Sequence, residues 1–191
     1  MKTFLSGCAL AALLVAAPAL AQTPPATPAP MAAPMKAPSA EKAAKTAHKL
    51  PKEDWVFVKK AAIGSLTEIE AGKLAQQKGS TPAVKDFGAT MVKDHTAANA
   101  QLKAILDQKQ VTPPTKIDKS HQKQIDRLSG FSGEAFDKAY ITNQKRAHKT
   151  AIAAFEKEAQ SGQDPQLKDF ASKTLPVVRH HLDMLNSIST K

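Results

Sequence analysis

Hydrophobic residues recur at helical spacing from about residue 53 to the end of the chain, and no segment in that range alternates as a β-strand would. The pattern predicts four long helices, at about 53–78, 81–109, 132–160 and 164–188, and a shorter helix at about 117–129. Thr81-Pro82 and Asp164-Pro165 each place a capping side chain before a proline, which is typical of a helix start. Glycine at 79, 130 or 162 is expected to end the preceding helix.

These elements predict an all-α fold, a four-helix bundle with a short extra helix between the second and third long helices. The folded domain is expected to span residues 53–191. The connection across 110–131 is long, so both a ferritin-like crossover and an up-and-down topology are compatible with the sequence.

An internal similarity relates the two predicted helical hairpins. Residues 79–87 (GSTPAVKDF) and 162–170 (GQDPQLKDF) share five of nine residues. Recurrent turn chemistry explains the glycine and proline. The Lys-Asp-Phe segment lies beyond the turn in both copies, which favours two related hairpins.

The amino terminus has the layout of a secretory signal. Lys2 precedes a short apolar run, and Ala19-Leu20-Ala21 forms an A-x-A cleavage site, so residues 1–21 are predicted to be a cleavable signal peptide and the mature protein to be periplasmic. The run is too short for a mature membrane-spanning helix. Leu5-Ser6-Gly7-Cys8 resembles a lipoprotein box, but it precedes the apolar run instead of following it.

Residues 22–52 are rich in Ala, Pro and Lys and are predicted to be a disordered linker. Five lysines against Glu41 give the linker a net charge of +4, within a chain of formal net charge +10. Such a segment is suited to an anionic membrane or another anionic envelope surface, or it is a solubilising spacer. Nucleic acid is not an expected partner, because the basic residues lack interleaved aromatic side chains.

Several polar residues fall on the apolar faces of the predicted helices. His95, His148 and His181 each lie on such a stripe, and Glu68 lies on a stripe of small residues in the first helix. Glu70 competes with Glu68 for the inward position. Imidazole and carboxylate ligands predict a metal site at Glu68, His95, His148 and His181 for zinc, iron, copper or manganese.

Depth along the helices supports part of this set. Counted from the two hairpin turns, Glu68, His95 and His148 fall within about 5 Å along the bundle axis. His181 is predicted about one turn away, and Pro176 is expected to kink its helix. Gln144, one turn before His148, is a candidate supporting residue.

Other observations limit the functional prediction. The residues three before the histidines are Val92, Lys145 and Val178, so the Glu-x-x-His motif of di-iron bundles is absent. A buried polar network is therefore the alternative to a metal site. The sequence contains no phosphate-binding glycine loop and no nucleophile elbow, and it does not predict an enzyme.

The chain resembles the bacterial "domain of unknown function 4142" family over about 53–188. The resemblance is carried by Asp54-x-x-Phe57, by Met91-Val92-x-Asp94-His95 and by Phe136-Asp137-x-x-Tyr140. It also includes Glu68, His148 and the segment Leu175-Pro176 to His181. It implies an exported, ferritin-like helical protein, and it names no activity.

Two functions follow as hypotheses. The first is a metal-binding protein linked to envelope or oxidative stress. The second is a non-catalytic envelope protein whose basic linker associates with anionic lipid or cell-wall surfaces.

Overall fold

The structure, a computed structural model, describes residues 50–188. The predicted signal peptide and nearly all of the predicted linker lie outside this range. The described part of the chain is helical without strands. Its five helices are α1 (Lys52–Lys78), α2 (Pro82–Gln108), α3 (Lys119–Ser129), α4 (Gly133–Ser161) and α5 (Pro165–Ser187). The all-α prediction is confirmed.

Local cap chemistry explains where the helices begin. The Thr81 hydroxyl accepts a hydrogen bond from the backbone N–H of Val84, and the Asp164 carboxylate accepts from those of Gln166 and Leu167. A proline follows each cap at the first helical position, where its missing N–H costs nothing. The helix α5 continues through Pro176.

The hairpin glycines end α1 and α4 for a reason that differs from the expected one. Gly79 and Gly162 have negative φ angles, −57° and −58°, so neither is in the left-handed conformation. A Cβ at Gly79 would lie 2.6 Å from the carbonyl oxygen of Ala75, and a Cβ at Gly162 would lie 2.7 Å from that of Glu158. Glycine is required at both turns because the chain passes too close to the preceding helix for any side chain.

The four long helices surround a shared interior. α1 packs against α2, α4 against α5, α1 against α4, and α2 against α5, while α3 lies on α1 and α4. The buried apolar residues form two clusters. One is centred on Phe87, Phe136 and Leu185, and the other on Phe57, Leu102 and Phe170.

Two buried aspartates define the direction of each helix. Asp137, near the start of α4, accepts hydrogen bonds from the backbone N–H and the hydroxyl of Ser80 in the α1–α2 turn. Asp54, near the start of α1, accepts from the backbone N–H groups of Gln163 and Asp164 in the α4–α5 turn. The two turns therefore lie at opposite ends of the bundle.

It follows that α2 and α4 run in the same direction, and the connection between them crosses the length of the bundle. This selects the crossover topology, which ferritin-like bundles also have, over the up-and-down alternative. No helix within residues 50–188 is long and apolar enough to cross a membrane.

Candidate metal centre

A polar layer separates the two apolar clusters. Along each long helix, the residues between the two clusters include a buried or partly buried polar side chain: Glu68 on α1, His95 on α2, Gln144 and His148 on α4, and His181 on α5. Burial of polar groups costs free energy unless they are paired, so a layer of this kind requires partners or a ligand.

The three histidines converge in this layer. One ring nitrogen from each of His95, His148 and His181 lies within 4.8 Å of the others. The ring centroids are 5.5 Å apart for His148 and His181, 5.7 Å for His95 and His181, and 6.1 Å for His95 and His148. Phe87 packs on both His148 and His181 with centroids 6.4 Å away, which limits rotation of the rings.

One nitrogen of each imidazole ring is hydrogen-bonded to another group of the protein. His148 Nδ1 lies 2.9 Å from the backbone carbonyl oxygen of Gln144, and His181 Nε2 lies 3.0 Å from Asp94 Oδ2. Carbonyl and carboxylate oxygens only accept, so these two nitrogens carry the proton and donate. The lone pair is thereby assigned to the opposite nitrogen of each ring.

His95 follows the same arrangement. Its Nδ1 lies 3.1 Å from the hydroxyl oxygen of Ser65, a group that can accept this hydrogen bond. The remaining nitrogens, Nε2 of His95, Nε2 of His148 and Nδ1 of His181, are buried and have no hydrogen-bond partner among the described residues. Each imidazole is thus anchored through one nitrogen, and its other nitrogen is buried without a partner. At His148 and His181 that second nitrogen carries the lone pair, and His95 offers its lone pair at Nε2 when the Ser65 hydroxyl accepts.

Burial keeps these rings neutral. It lowers the pKa of His95 to about 3, with the nearby His148 and His181 lowering it further. Burial also lowers the pKa of His148 to about 4, against a raising effect of its hydrogen bond to Gln144. The pKa of His181 is lowered by burial, although Asp94 opposes the shift. At neutral pH all three rings are in the uncharged form that binds metals.

Glu68 lies beside this group and not within it. Its side chain is buried, with 8 % of its surface exposed, whereas Glu70 is exposed, which settles the choice between the two. Burial raises the pKa of Glu68 to about 7, and a hydrogen bond from Gln144 partly offsets that shift. Glu68 also contributes to a raised pKa of the buried Tyr140, after burial itself. Glu68 Oε2, Gln144 Oε1 and Tyr140 Oη lack partners among the described residues.

The structure therefore brings together three of the four residues predicted from helical phase. The expected one-turn offset of His181 is not found, because His181 shares a layer with the other two histidines. Glu68 belongs to the polar layer, as expected, but its carboxylate is outside the group of converging ligand atoms. Its carboxylate is instead hydrogen-bonded by Gln144 and acts electrostatically on Tyr140.

Sequence reasoning missed the supporting residues Asp94 and Ser65. Asp94 directly precedes His95 and is therefore interpreted from the sequence only as part of the α2 motif. In the structure its partner is His181 on α5. Ser65 belongs to the stripe of small residues on which Glu68 lies, and that pattern by itself indicates only close helix packing. The only signal for either was a polar side chain next to, or on the same face as, a predicted ligand.

Comparison with known proteins places the chain in a family. The sequence model of the domain of unknown function DUF4142 matches residues 38–188. Among solved structures, the fold is similar to that of a DUF305 fragment from Deinococcus radiodurans, with a TM-score of 0.63 and 13% sequence identity. The match covers 72% of this chain and 95% of that one, and at this identity it shows the fold alone. No match was found among curated proteins.

Proposed function

Because the chain belongs to the DUF4142 family, whose description names no activity, we propose a function from the residues themselves: the protein binds a divalent transition metal through His95, His148 and His181. The resemblance noted from the sequence and the family match agree on membership, and neither supplies a ligand. The proposal therefore depends on the geometry of the three rings.

The main support for the proposal is that the two nitrogens of each imidazole differ: one is hydrogen-bonded, and the other is buried without a partner. Histidines that bind metals donate their second ring N–H to a carboxylate, a backbone carbonyl or a similar group. All three rings here have a hydrogen-bond partner on one nitrogen and a buried, unpartnered nitrogen on the other, and at His148 and His181 the acceptor partner assigns the lone pair to that second nitrogen. A network formed only to satisfy buried histidines would pair these inner nitrogens with donors.

Three neutral imidazoles suit zinc, copper, iron or nickel better than manganese, which prefers oxygen ligands. In tetrahedral zinc sites with bonds of about 2.0–2.1 Å, ligand nitrogens lie about 3.4 Å apart. The present separations, up to 4.8 Å, require a small inward movement of the rings on binding. Three protein ligands leave one coordination position for water or another small ligand.

Metal titration of protein purified without a His tag tests the proposal. We expect one zinc ion per chain, measured by elemental analysis after desalting and by calorimetry with zinc chloride. The variants His148→Ala and His181→Ala remove one ligand each and are expected to lower affinity at least 100-fold. Circular dichroism should show that both variants remain helical.

His180→Ala is the matched control, since His180 adjoins His181 but is exposed. It should bind zinc as the unchanged protein does. The proposal would be wrong if the unchanged protein and the three variants all held equal, near-zero amounts of metal. It would also be wrong if only the His180 variant lost binding.

The setting of this site is a second part of the proposal. The predicted signal peptide favours export, so we propose a periplasmic protein that handles metal under envelope or oxidative stress. The alternative, an envelope interaction protein, is favoured by the net charge of +4 on residues 22–52. Binding to vesicles containing anionic lipid, compared between the mature chain and one starting at Glu53, separates the two.

A further inference from the structure

A cavity of about 540 Å³ opens beside the three histidines. It lies mainly between α1 and α4, with α3 at one side, and it reaches α2 and α5 at His95 and His181. Its volume is within the usual range for sites that hold small organic molecules.

The walls of the cavity are mostly apolar, and small residues line part of both α1 and α4. Gly64 and Ala61 on α1 face Ala147, Ala151 and Ala154 on α4 across the opening. A Cβ added at Gly64 would meet no atom within 4 Å. Small side chains on both helices therefore leave room that the protein itself does not fill.

The cavity is also lined by polar groups. His95, His148, His181 and Glu68 line the inner part, and His95 is the partly exposed member of the three. The lining also includes the charged side chains of Lys59, Lys60 and Arg146 and of the carboxylates Asp94 and Asp118. A ligand that matches this distribution has an apolar body and one polar head at the histidine end.

The proposed metal defines the chemistry of that head. Three neutral imidazoles leave the full positive charge of a divalent ion in place, together with one open coordination position. An anionic oxygen ligand satisfies both.

We propose that the cavity binds a small amphiphilic carboxylate, with its carboxylate on the metal held by the three histidines and its hydrocarbon chain between α1 and α4. This inference rests on the proposed function and adds a ligand class to it. The family match and the similar structure do not assign such a ligand.

Titration of sodium octanoate into the zinc-loaded protein tests the inference. Calorimetry should show saturable binding of one octanoate per chain, weakened at least 10-fold when zinc is removed. Gly64→Leu places a side chain in the cavity without touching a histidine. It is expected to keep a full zinc ion and to weaken octanoate binding at least 10-fold.

Gly64→Ala is the matched control, because its added methyl group occupies little of the cavity and leaves most of it open. It should retain both ligands. If Gly64→Leu unfolds, Ala151→Leu fills the opposite wall and serves as the second blocking variant.

The outcomes separate the two proposals. Zinc binding without saturable octanoate binding overturns the ligand class and leaves the metal site standing. Octanoate binding of equal strength with and without zinc, or unchanged in both leucine variants, also overturns it. Absence of zinc binding overturns both.

Discussion

Asp94 fixes which nitrogen of His181 carries the lone pair. Its carboxylate accepts from His181 Nε2 at 3.0 Å and so leaves the lone pair on Nδ1, which is buried without a partner among the described residues. Because burial keeps His181 neutral, this contact is a hydrogen bond from an uncharged ring. Its main effect is to orient the imidazole, and it does not protonate the ring. Asp94 is a positioning residue for the proposed metal.

Asp94→Asn is expected to weaken zinc binding about 10- to 100-fold while leaving the helix content unchanged, as loss of a supporting partner typically does. An amide can present its N–H₂ to the ring and favour the wrong tautomer. Competition with a chromogenic zinc chelator measures the affinity. Asp86→Asn, also on α2 but exposed, is the control and should bind zinc normally.

Residue types and helical phase were enough to predict the three histidines, because an imidazole on an apolar stripe is conspicuous at a period of 3.6. Their partners were not predictable in the same way. The contacts of Ser65 with His95 and of Asp94 with His181 join residues 30 and 87 positions apart, so no local pattern records them.

Glu158 provides a residue-scale prediction on pH. Burial raises its pKa to about 7, and Asp54 and Asp164 nearby raise it as well. The folded state therefore holds the proton more tightly than the unfolded state. The associated stability is fully present below the normal glutamate pKa and is lost as pH rises toward 7.

Glu158→Gln should remove this dependence. Its free energy of unfolding, measured in urea, is expected to change less between pH 5 and 8 than that of the unchanged protein. The stability that the variant gains over the unchanged protein should be larger at pH 8 than at pH 5. Glu134→Gln, on the exposed start of α4, should leave the pH profile as it is. Parallel profiles for all three proteins would contradict the assignment.

Among the elements, α1 and α2 approach each other closely at two glycines, Gly72 and Gly88. A Cβ at Gly88 would lie 2.7 Å from both the Cβ of Ala75 and the carbonyl oxygen of Gly72, and a Cβ at Gly72 would lie 2.7 Å from the carbonyl of Gly88. Backbone faces backbone there, so no rotamer change can relieve an added methyl group. This contact sets the spacing within the first hairpin.

Gly88→Ala should therefore destabilise the protein by about 1–3 kcal/mol, the usual cost of overpacking. Gly64→Ala is its matched control on α1, where a Cβ meets nothing, and should stabilise by about 0.5–1 kcal/mol through helix propensity. Urea unfolding compares the two. A Gly88 variant as stable as the Gly64 variant would show that the helices separate freely.

Element boundaries were predictable because the caps are local. Thr81-Pro82 and Asp164-Pro165 specify helix starts within a few residues of sequence, and both starts agree with the structure. The role of Gly79 was not predictable in the same way, since the close approach that requires it depends on how the turn leaves α1.

At the scale of the whole molecule, the two hairpins hold each other at both ends. Asp54 of the first hairpin binds the α4–α5 turn, and Asp137 of the second binds the α1–α2 turn. Asp54 and Asp137 are 83 positions apart, and Gly79 and Gly162 are also 83 positions apart. The internal similarity thus extends from the turns to the buried groups that bind them.

This reciprocal arrangement also explains what the sequence left open. The crossover topology depends on which turn faces which helix start, and that is decided by contacts 57 and 109 positions apart. The depth of His181 was misjudged for the same reason, since counting from the turns requires knowing how the two hairpins are aligned.

Asp54→Asn and Asp137→Asn are each expected to lower the free energy of unfolding by about 1–3 kcal/mol, because one acceptor oxygen is replaced by a donor facing another donor. Urea unfolding should still show a single transition. Asp183→Asn, at an exposed site on α5, is the control. A loss below about 0.3 kcal/mol in both variants would contradict a role for the carboxylates in docking the hairpins.

The same two carboxylates have a consequence for slippage between the hairpins. A shift of one hairpin along the other by one helical turn, about 5.4 Å, would break the contacts of Asp54 and Asp137 together, although they lie at opposite ends. It would also carry His148 and His181 out of the plane of His95. The height at which the ring nitrogens meet is thus set from the two ends of the bundle as well as by the apolar packing between them.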